Sequence, residues 1–234
     1  MMNARKTFAA SIAILIATNA LASGQTVLVT STFDTGSDGW QPWTTNTSGA
    51  LSPDNPYLNL DSLGFGTAKS RLITFNATPA WIGDYYSAGV MAVQLNVANF
   101  STSDTLELRV AVGNRSSPME SGGTWWISET AFTLGTSSGW TLATLSLLEA
   151  DLKRVGNEAG ELGTDSYQAT FSDIRNIRLL SSNVGSAAIG DQFIGPVGID
   201  NISLISIPEP TAGSLATSGI LGLLGVRNLR MHRP

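Results

Sequence analysis

The chain has 234 residues, with no cysteine, one histidine and 13% charged residues, so it lacks the side chains that much of protein catalysis uses. Disulfides, thiol nucleophiles and Cys-ligated metal centres are excluded, and His232 lies too close to the C-terminal end for a histidine triad or a His-ligated metal in a folded domain. With 42% hydrophobic residues and a net charge of −5, the composition is that of a foldable globular protein.

The N-terminal segment predicts a secretory signal peptide over residues 1–22. Arg5 and Lys6 precede an uncharged apolar run, and Ala20-Leu21-Ala22 has the small-x-small pattern that signal peptidase accepts. A buried amphipathic helix is the alternative, but the run has no polar face. We therefore predict cleavage by signal peptidase after Ala22 and export of the protein.

The segment between the two chain ends, residues 23–206, is predicted to form one domain. It contains 8 basic and 17 acidic residues, so its net charge is near −9. Such a domain repels phosphate backbones, and a nucleic-acid partner is not expected. Neutral glycans and divalent cations are compatible partners.

The middle of the chain has the period-two pattern of half-buried β-strands. Residues 105–112 alternate leucine and valine with Glu107, Arg109 and Ala111. Eight further stretches predict strands, at 25–32, 57–60, 71–75, 90–97, 125–134, 140–147, 174–180 and 197–205. Clusters of glycine, serine, aspartate and proline separate them. Short strands at this spacing predict an all-β, antiparallel sandwich.

One helix is predicted in this domain, over residues 147–155. Leu148, Leu152 and Val155 share one face at helical spacing. Glu149 and Lys153 are four residues apart, a spacing that supports a helix through an ion pair.

The C-terminal segment, residues 207–234, has a composition of its own. Pro208-Glu209-Pro210 ends the last predicted strand, because proline has no backbone N–H to donate to a neighbouring strand. An uncharged stretch of 15 residues follows over 212–226, and then Arg227, Arg230 and Arg233. The stretch is shorter than the roughly 20 residues of a transmembrane helix. We predict an apolar helix that anchors weakly or transiently in the membrane, with its basic end in the cytoplasm.

This tail resembles the PEP-CTERM sorting signal of Gram-negative bacteria. It has the triplet Pro208-Glu209-Pro210, the apolar segment and the basic end in that order. The same tail is also labelled an ice-binding protein C-terminal domain, although the chain has no regular threonine array that would bind ice. The resemblance implies that exosortase, a membrane transpeptidase, removes the tail near the triplet. It also implies that the rest is released or anchored at the cell surface or in the extracellular matrix.

Four short motifs, taken in order, resemble the laminin B (laminin type IV) domain and the wider galactose-binding-like jelly rolls. They are Phe33-Asp34 with Gly39-Trp40, Trp81-Ile82-Gly83-Asp84-Tyr85, Phe171-Ser172-Asp173-Ile174 and Gly198-Ile199-Asp200-Asn201-Ile202. The resemblance covers about 170 residues and implies an antiparallel jelly-roll β-sandwich. Residues 158–165 and 182–196 depart from the pattern.

A structural calcium is the best chemical candidate. Asp200 has the parity of Ile202 and Leu204 in the last predicted strand, so it is expected to point inward at the rim. An inward carboxylate is costly unless it is paired or metal-bound. Calcium takes six to eight oxygens, which Asp34, Asp38 and backbone carbonyls of the first loop would complete, as in related jelly rolls. The alternative is that Asp200 and Asp38 only accept hydrogen bonds from their own turns.

Six tryptophans suggest a sugar-binding surface, because indole rings offer flat apolar faces to sugar C–H groups. The candidate contacts are Trp81, Tyr85, Trp125 and Trp126. Trp125 and Trp126 are adjacent in a predicted strand, so one should face the core and the other, the favoured stacking residue, should face outward. The alternative for each tryptophan is core packing.

An enzyme of this composition would rely on paired carboxylates, as glycoside hydrolases do. Glu120, Glu129, Glu158 and Glu161 are available, but no spacing singles out a pair. The sequence therefore predicts a non-catalytic adhesion or glycan-binding module, exported and sorted to the surface, in an extracellular polysaccharide matrix. A polysaccharide-acting hydrolase and a passive structural matrix protein are the alternatives.

Overall fold

The structure, a computed structural model, describes residues 25–42, 48–49, 56–63, 71–117, 123–157 and 159–206. The predicted signal peptide and the predicted sorting tail with its apolar helix lie outside these ranges. No helix within the described ranges is long and apolar enough to cross a membrane.

The described residues form thirteen strands and one short α-helix. The strands are β1 (Thr26–Ser31), β2 (Gln41–Pro42), β3 (Ser48–Gly49), β4 (Leu58–Leu63), β5 (Ile73–Asn76), β6 (Val90–Asn99), β7 (Leu106–Gly113), β8 (Trp125–Ser128), β9 (Phe132–Leu134), β10 (Ser138–Ser146), β11 (Leu152–Val155), β12 (Asn176–Ser181) and β13 (Ile194–Ser206). The helix, α1 (Tyr167–Phe171), precedes β12.

The strands form two sheets, all of whose strand pairs are antiparallel. Sheet A has the order β10-β6-β13-β4-β3, with β1 also paired to β13. Sheet B has the order β11-β8-β7-β12-β5-β2, with β9 also paired to β7. The predicted antiparallel jelly-roll β-sandwich is thus confirmed, and one predicted strand, 125–134, is two strands, β8 and β9.

The main core lies between the two sheets and follows from the alternation of each strand. On β6, Val93, Leu95 and Val97 are fully buried in this core, whereas Gln94 and Asn96 point away from it. Successive side chains of a strand point to opposite faces, so each apolar parity series lines the core. Burial of this apolar area is the main favourable contribution to folding in a domain without disulfides.

A second apolar layer covers the outer face of sheet B, which the sequence predicted to be half exposed. Arg109 and Ala111, the predicted solvent face of β7, are only 5% and 0% exposed. They are covered by the segment 182–193, which brings Ala188 onto an apolar cluster containing Trp125. The prediction of a half-buried β7 was wrong because the alternation of a strand does not reveal a distant loop that packs on its outer face.

The helix predicted over 147–155 was wrong. This segment makes a single 3-10 turn at Glu149–Asp151 and then forms β11. β11 pairs with the edge of β8, from Leu152 opposite Ser128 to Val155 opposite Trp125. Ladder hydrogen bonds and the burial of Leu152 and Val155 outweigh an ion pair at helical spacing, which contributes only about 0.2–0.5 kcal/mol.

Candidate functional site

The adjacent tryptophans Trp125 and Trp126 face opposite sides of sheet B, and Trp125 is the one on the outer face. Trp125 is fully buried under the segment 182–193, with the Arg178 guanidinium 4.8 Å from its ring centroid. Trp126 packs against the main core, and its Nε1 donates a hydrogen bond to the Thr170 hydroxyl at 3.2 Å. The prediction of an outward stacking residue at this pair was wrong, because Trp125, the ring on the outer face of sheet B, is covered. Trp126 is half-buried, and its contact with a ligand stays a prediction.

Trp81 and Tyr85 are also core residues rather than surface residues. Trp81 is 2% exposed and makes an edge-to-face contact with Trp40, with ring centroids 5.0 Å apart. Tyr85 is 4% exposed, and its hydroxyl donates a hydrogen bond to the Trp81 carbonyl. Burial raises the pKa of the Tyr85 hydroxyl. Their predicted role in ligand contact was wrong, since both rings are sequestered from solvent.

Asp200 lies on the outer face of sheet A, not on the inward face that its parity predicted. Between Asp200 and Ser203 strand β13 has one residue more than the partner strand, where Asn96 and Gln94 are their partners. Asn201 occupies this β-bulge with a positive φ of 52°. An extra residue reverses the facing of everything that follows, so Ile202 shares the core with Ile199 rather than with Asp200.

The three carboxylates of the predicted calcium site have different local partners. Asp38 accepts a hydrogen bond from the Phe33 backbone N–H at 3.0 Å, and Asp34 accepts one from the Thr32 hydroxyl at 2.6 Å. Asp200 accepts hydrogen bonds from Asn201. No group of three or more acidic, histidine or cysteine side chains that could hold a metal ion occurs among the described residues. Calcium at this position stays a prediction.

An aromatic patch made of Tyr57, Phe100 and Trp140 lies on the outer face of sheet A. The Trp140 ring meets Tyr57 and Phe100 edge to face, with centroids 4.9 and 5.9 Å apart. Tyr57 is 7% exposed, and burial raises its pKa, whereas Trp140 is 43% exposed. Two aromatic neighbours thus hold a ring that remains open to solvent.

Gly198 of β13 makes room for this ring. A Cβ at this position would lie 2.7 Å from Cη2 of Trp140 and 2.9 Å from Cε2 of Phe100. Both distances are too short for any side chain, so only glycine lets the rings approach the strand so closely. Trp140 therefore sits directly on the sheet backbone, which fixes its position.

A groove of about 290 Å³ runs beside the patch. Its lining residues are Asn96, Trp140, Thr141, Leu142, Asp200 and Asn201. The Asn96 side chain makes no hydrogen bond to any described residue, and Asn201 is exposed. An exposed indole beside the amide groups of Asn96 and Asn201 is suited to a ligand with both apolar and polar edges.

Asp200 is the carboxylate of this groove, and its environment is unusual. The residue is 4% exposed, and its two oxygens accept hydrogen bonds from the backbone N–H and the side-chain amide of Asn201, at 2.7 and 2.9 Å. Burial raises the pKa of Asp200, the charge of Asp34 raises it further, and the backbone hydrogen bond from Asn201 opposes the shift.

Trp140 is one of the six tryptophans of the sequence but was not among the predicted contacts, although its position in the pattern indicates exposure. In the predicted strand 140–147, Ala143 and Leu145 have the core parity, so Trp140 and Leu142 have the outward parity. Both are in fact exposed, at 43% and 59%. The decisive neighbours, Tyr57 and Gly198, come from distant strands and could not be assigned to the patch from sequence.

A larger cavity of about 370 Å³ lies elsewhere, at the edge of the sandwich near β9 and β10. Its lining includes Phe132 and Leu145, which pack into the main core, and Asp151, which accepts a hydrogen bond from Ser146. It has no exposed aromatic ring, so its size alone does not make it the better candidate.

No protein-family model matches the chain, and no curated protein matches it. Among solved structures, the chain is similar to a family 11 carbohydrate-binding module from Clostridium thermocellum, in complex with a β-1,3-1,4-mixed-linked tetrasaccharide, at 15% identity and a TM-score of 0.48. That similarity covers 80% of this chain and 98% of the module. The CBM22-1 xylan-binding domain of Paenibacillus barcinonensis Xyn10C is similar at 12% identity and a TM-score of 0.47, over 79% and 97% of the two chains. These similarities concern overall architecture.

Proposed function

We propose that this domain is a non-catalytic glycan-binding module whose binding surface is the aromatic patch with the groove beside it. The observation that carries the proposal is the exposed indole of Trp140, held by Tyr57 and Phe100 on the backbone of Gly198. An exposed ring held rigidly in this way binds an apolar sugar face with little loss of side-chain entropy.

The rest of the groove supports a sugar in particular. Sugars present C–H groups on their faces and hydroxyl groups around their edges, so they need an aromatic surface next to hydrogen-bonding groups. Asn96 and Asn201 supply amide donors and acceptors, and Leu142 extends the apolar surface. The groove is open and shallow on a sheet face, a shape that accepts part of a polymer chain.

The lining favours binding over catalysis. Glycoside hydrolysis generally needs two carboxyl groups facing one bond, and the six groove residues include a single carboxylate, Asp200. Of the four glutamates considered from sequence, Glu161 accepts a hydrogen bond from Asn157 at 2.9 Å within its own loop. Glu120 and Glu158 lie outside the described residues.

Replacing Trp140 with alanine is expected to weaken glycan binding about 30-fold, because loss of a central aromatic contact typically costs about 2 kcal/mol or more. The measurement is a screen of the purified protein against neutral plant and bacterial polysaccharides, followed by calorimetric titration of each hit with both forms. Tyr86→Ala is the matched control, because Tyr86 is an aromatic residue 48% exposed outside the groove, and it should leave the affinity unchanged.

Each outcome of this screen separates the candidate functions. Binding that requires Trp140 and releases no reducing sugar supports the module. Release of reducing sugar from a bound polysaccharide would replace it with a hydrolase. Absence of binding to every polysaccharide would favour the passive structural matrix protein.

We also propose that residues 207–234 act as the sorting tail that their resemblance implies, so that the module is displayed at the cell surface. β1 begins at Thr26 directly opposite Ser206, the last residue of β13, so both chain ends join the fold at one corner. Gly198, under the aromatic patch, lies eight residues back along β13, or about 26 Å at strand rise. A chain held through this corner leaves the groove accessible.

Deletion of residues 208–234 is expected to move the protein out of the surface fraction, as measured by immunoblotting of surface, membrane and medium fractions. The matched variant replaces Pro208 and Pro210 with alanine and keeps the apolar stretch and the arginines, so it tests the triplet alone. An unchanged surface distribution after the deletion would refute the sorting role and leave the glycan-binding proposal intact.

A further inference from the structure

The lysine and arginine residues of the described strands are confined to sheet B. The strands of sheet A contain no lysine or arginine, although they carry Asp61 and Asp200. In sheet B, by contrast, β7, β11 and β12 carry Arg109, Lys153, Arg154 and Arg178. The face that bears the aromatic patch therefore has acidic groups and no cation of its own strands.

Among the residues that the structure describes, Asp200 has no cationic partner. Its two hydrogen bonds come from neutral donors of Asn201, and it forms no ion pair with any described residue. The charged neighbour that affects it is another carboxylate, Asp34. Burying an anion without a counter-charge is unfavourable. A cation placed next to the anion offsets a large part of the free energy that its burial costs. The groove should therefore favour a ligand group with a positive charge.

Resting on the proposed function, we propose that this groove takes a polysaccharide whose sugars carry free amines, that is, a polymer of glucosamine type. An ammonium group has three donors and no acceptor, so it complements Asp200 directly. A cation within about 6 Å of an indole face is also attracted to the ring, and Trp140 and Asp200 line the same groove. Uronic or sulfated polysaccharides carry the wrong charge for this face.

Three hexasaccharides with the same β-1,4 linkage test this proposal, because they differ only at the 2-position. These are the hexamer of glucosamine, the hexamer of N-acetylglucosamine and the hexamer of glucose. The glucosamine hexamer is expected to bind the purified protein about tenfold more tightly than the other two at low salt, as a charge-assisted hydrogen bond would give. This advantage should shrink in high salt, where charges are screened.

Asp200→Asn is expected to abolish the advantage, so that the glucosamine hexamer binds no more tightly than the other two. Asp61→Asn is the matched control, because Asp61 points outward from the same sheet but does not line the groove. If Asp200→Asn does not fold, Asn96→Asp provides a second variant. Asn96 pairs with Asp200 across the strands, so a carboxylate there should increase the preference for the amine.

The outcomes distinguish this inference from the function on which it rests. Equal binding of all three hexamers, or an amine preference that persists in Asp200→Asn and is unchanged in Asn96→Asp, would overturn the inference and leave a neutral glycan-binding module. Failure of every hexamer and of the wider polysaccharide screen would instead overturn the proposed function itself.

Discussion

Replacing Arg109 with methionine is expected to lower the free energy of unfolding by about 3–5 kcal/mol, because it removes the charged donor of four backbone carbonyls and a buried acceptor without a partner costs about 1–3 kcal/mol. Arg109 is 5% exposed and donates hydrogen bonds to the backbone carbonyls of Ser182, Asn183, Ser128 and Glu129 at 2.6–2.7 Å. Methionine fills most of the space but donates nothing, so buried carbonyls lose their partner.

The loss of stability should be greatest in the segment that Arg109 holds on sheet B. Two of its carbonyl partners belong to the segment 182–193, which covers the outer face of sheet B. Chemical denaturation followed by tryptophan fluorescence gives the stability, and amide hydrogen exchange of 182–193 should accelerate. Arg175→Met is the matched control, because Arg175 forms an exposed ion pair with Asp173, and such pairs contribute about 1 kcal/mol or less. Equal losses for the two variants would contradict the role given to Arg109.

Replacing Trp81 with alanine is expected to lower the free energy of unfolding by about 3–5 kcal/mol, because it leaves a large cavity in the main core. The ring is 2% exposed and packs edge to face on Trp40. The variant should unfold at a lower denaturant concentration, and glycan affinity of the remaining folded fraction should be unchanged.

Tyr86→Ala again serves as the control for this core assignment. It truncates an aromatic residue from the same segment, but one that is 48% exposed, so its effect on stability should be small. A Trp81→Ala protein with native stability and no glycan binding would show instead that Trp81 is a contact residue, as the tryptophan count first suggested.

Local patterns were sufficient to predict most strands, because the period-two pattern of a strand involves only neighbouring residues. The alternation over residues 90–97 predicted β6, which the structure extends to Asn99. The single helix was misplaced, since the structure has it at Tyr167–Phe171, where Ser166 caps it by accepting from the Ala169 N–H. A helix of five residues has too few periodic positions to be recognised by pattern.

The candidate site was only partly predictable. The tryptophan count drew attention to aromatic rings, and the candidate groove contains one, Trp140. Two of the three predicted tryptophans were wrong, since Trp81 and Trp125 are both buried. Burial of an aromatic residue depends on what packs over it from elsewhere in the chain, and alternation reports only which of two faces a side chain takes.

The all-β class and the positions of most strands follow from the sequence alone, because they depend on the spacing of apolar residues that are near neighbours in the chain. Which outer face is open to solvent depends instead on tertiary contacts. The segment 182–193 closes the face of sheet B over Trp125, and the bulge at Asn201 turns Asp200 out of the core and into the groove beside Trp140. Both features depend on contacts between residues that are far apart in the chain, and no local pattern of hydrophobicity encodes such contacts.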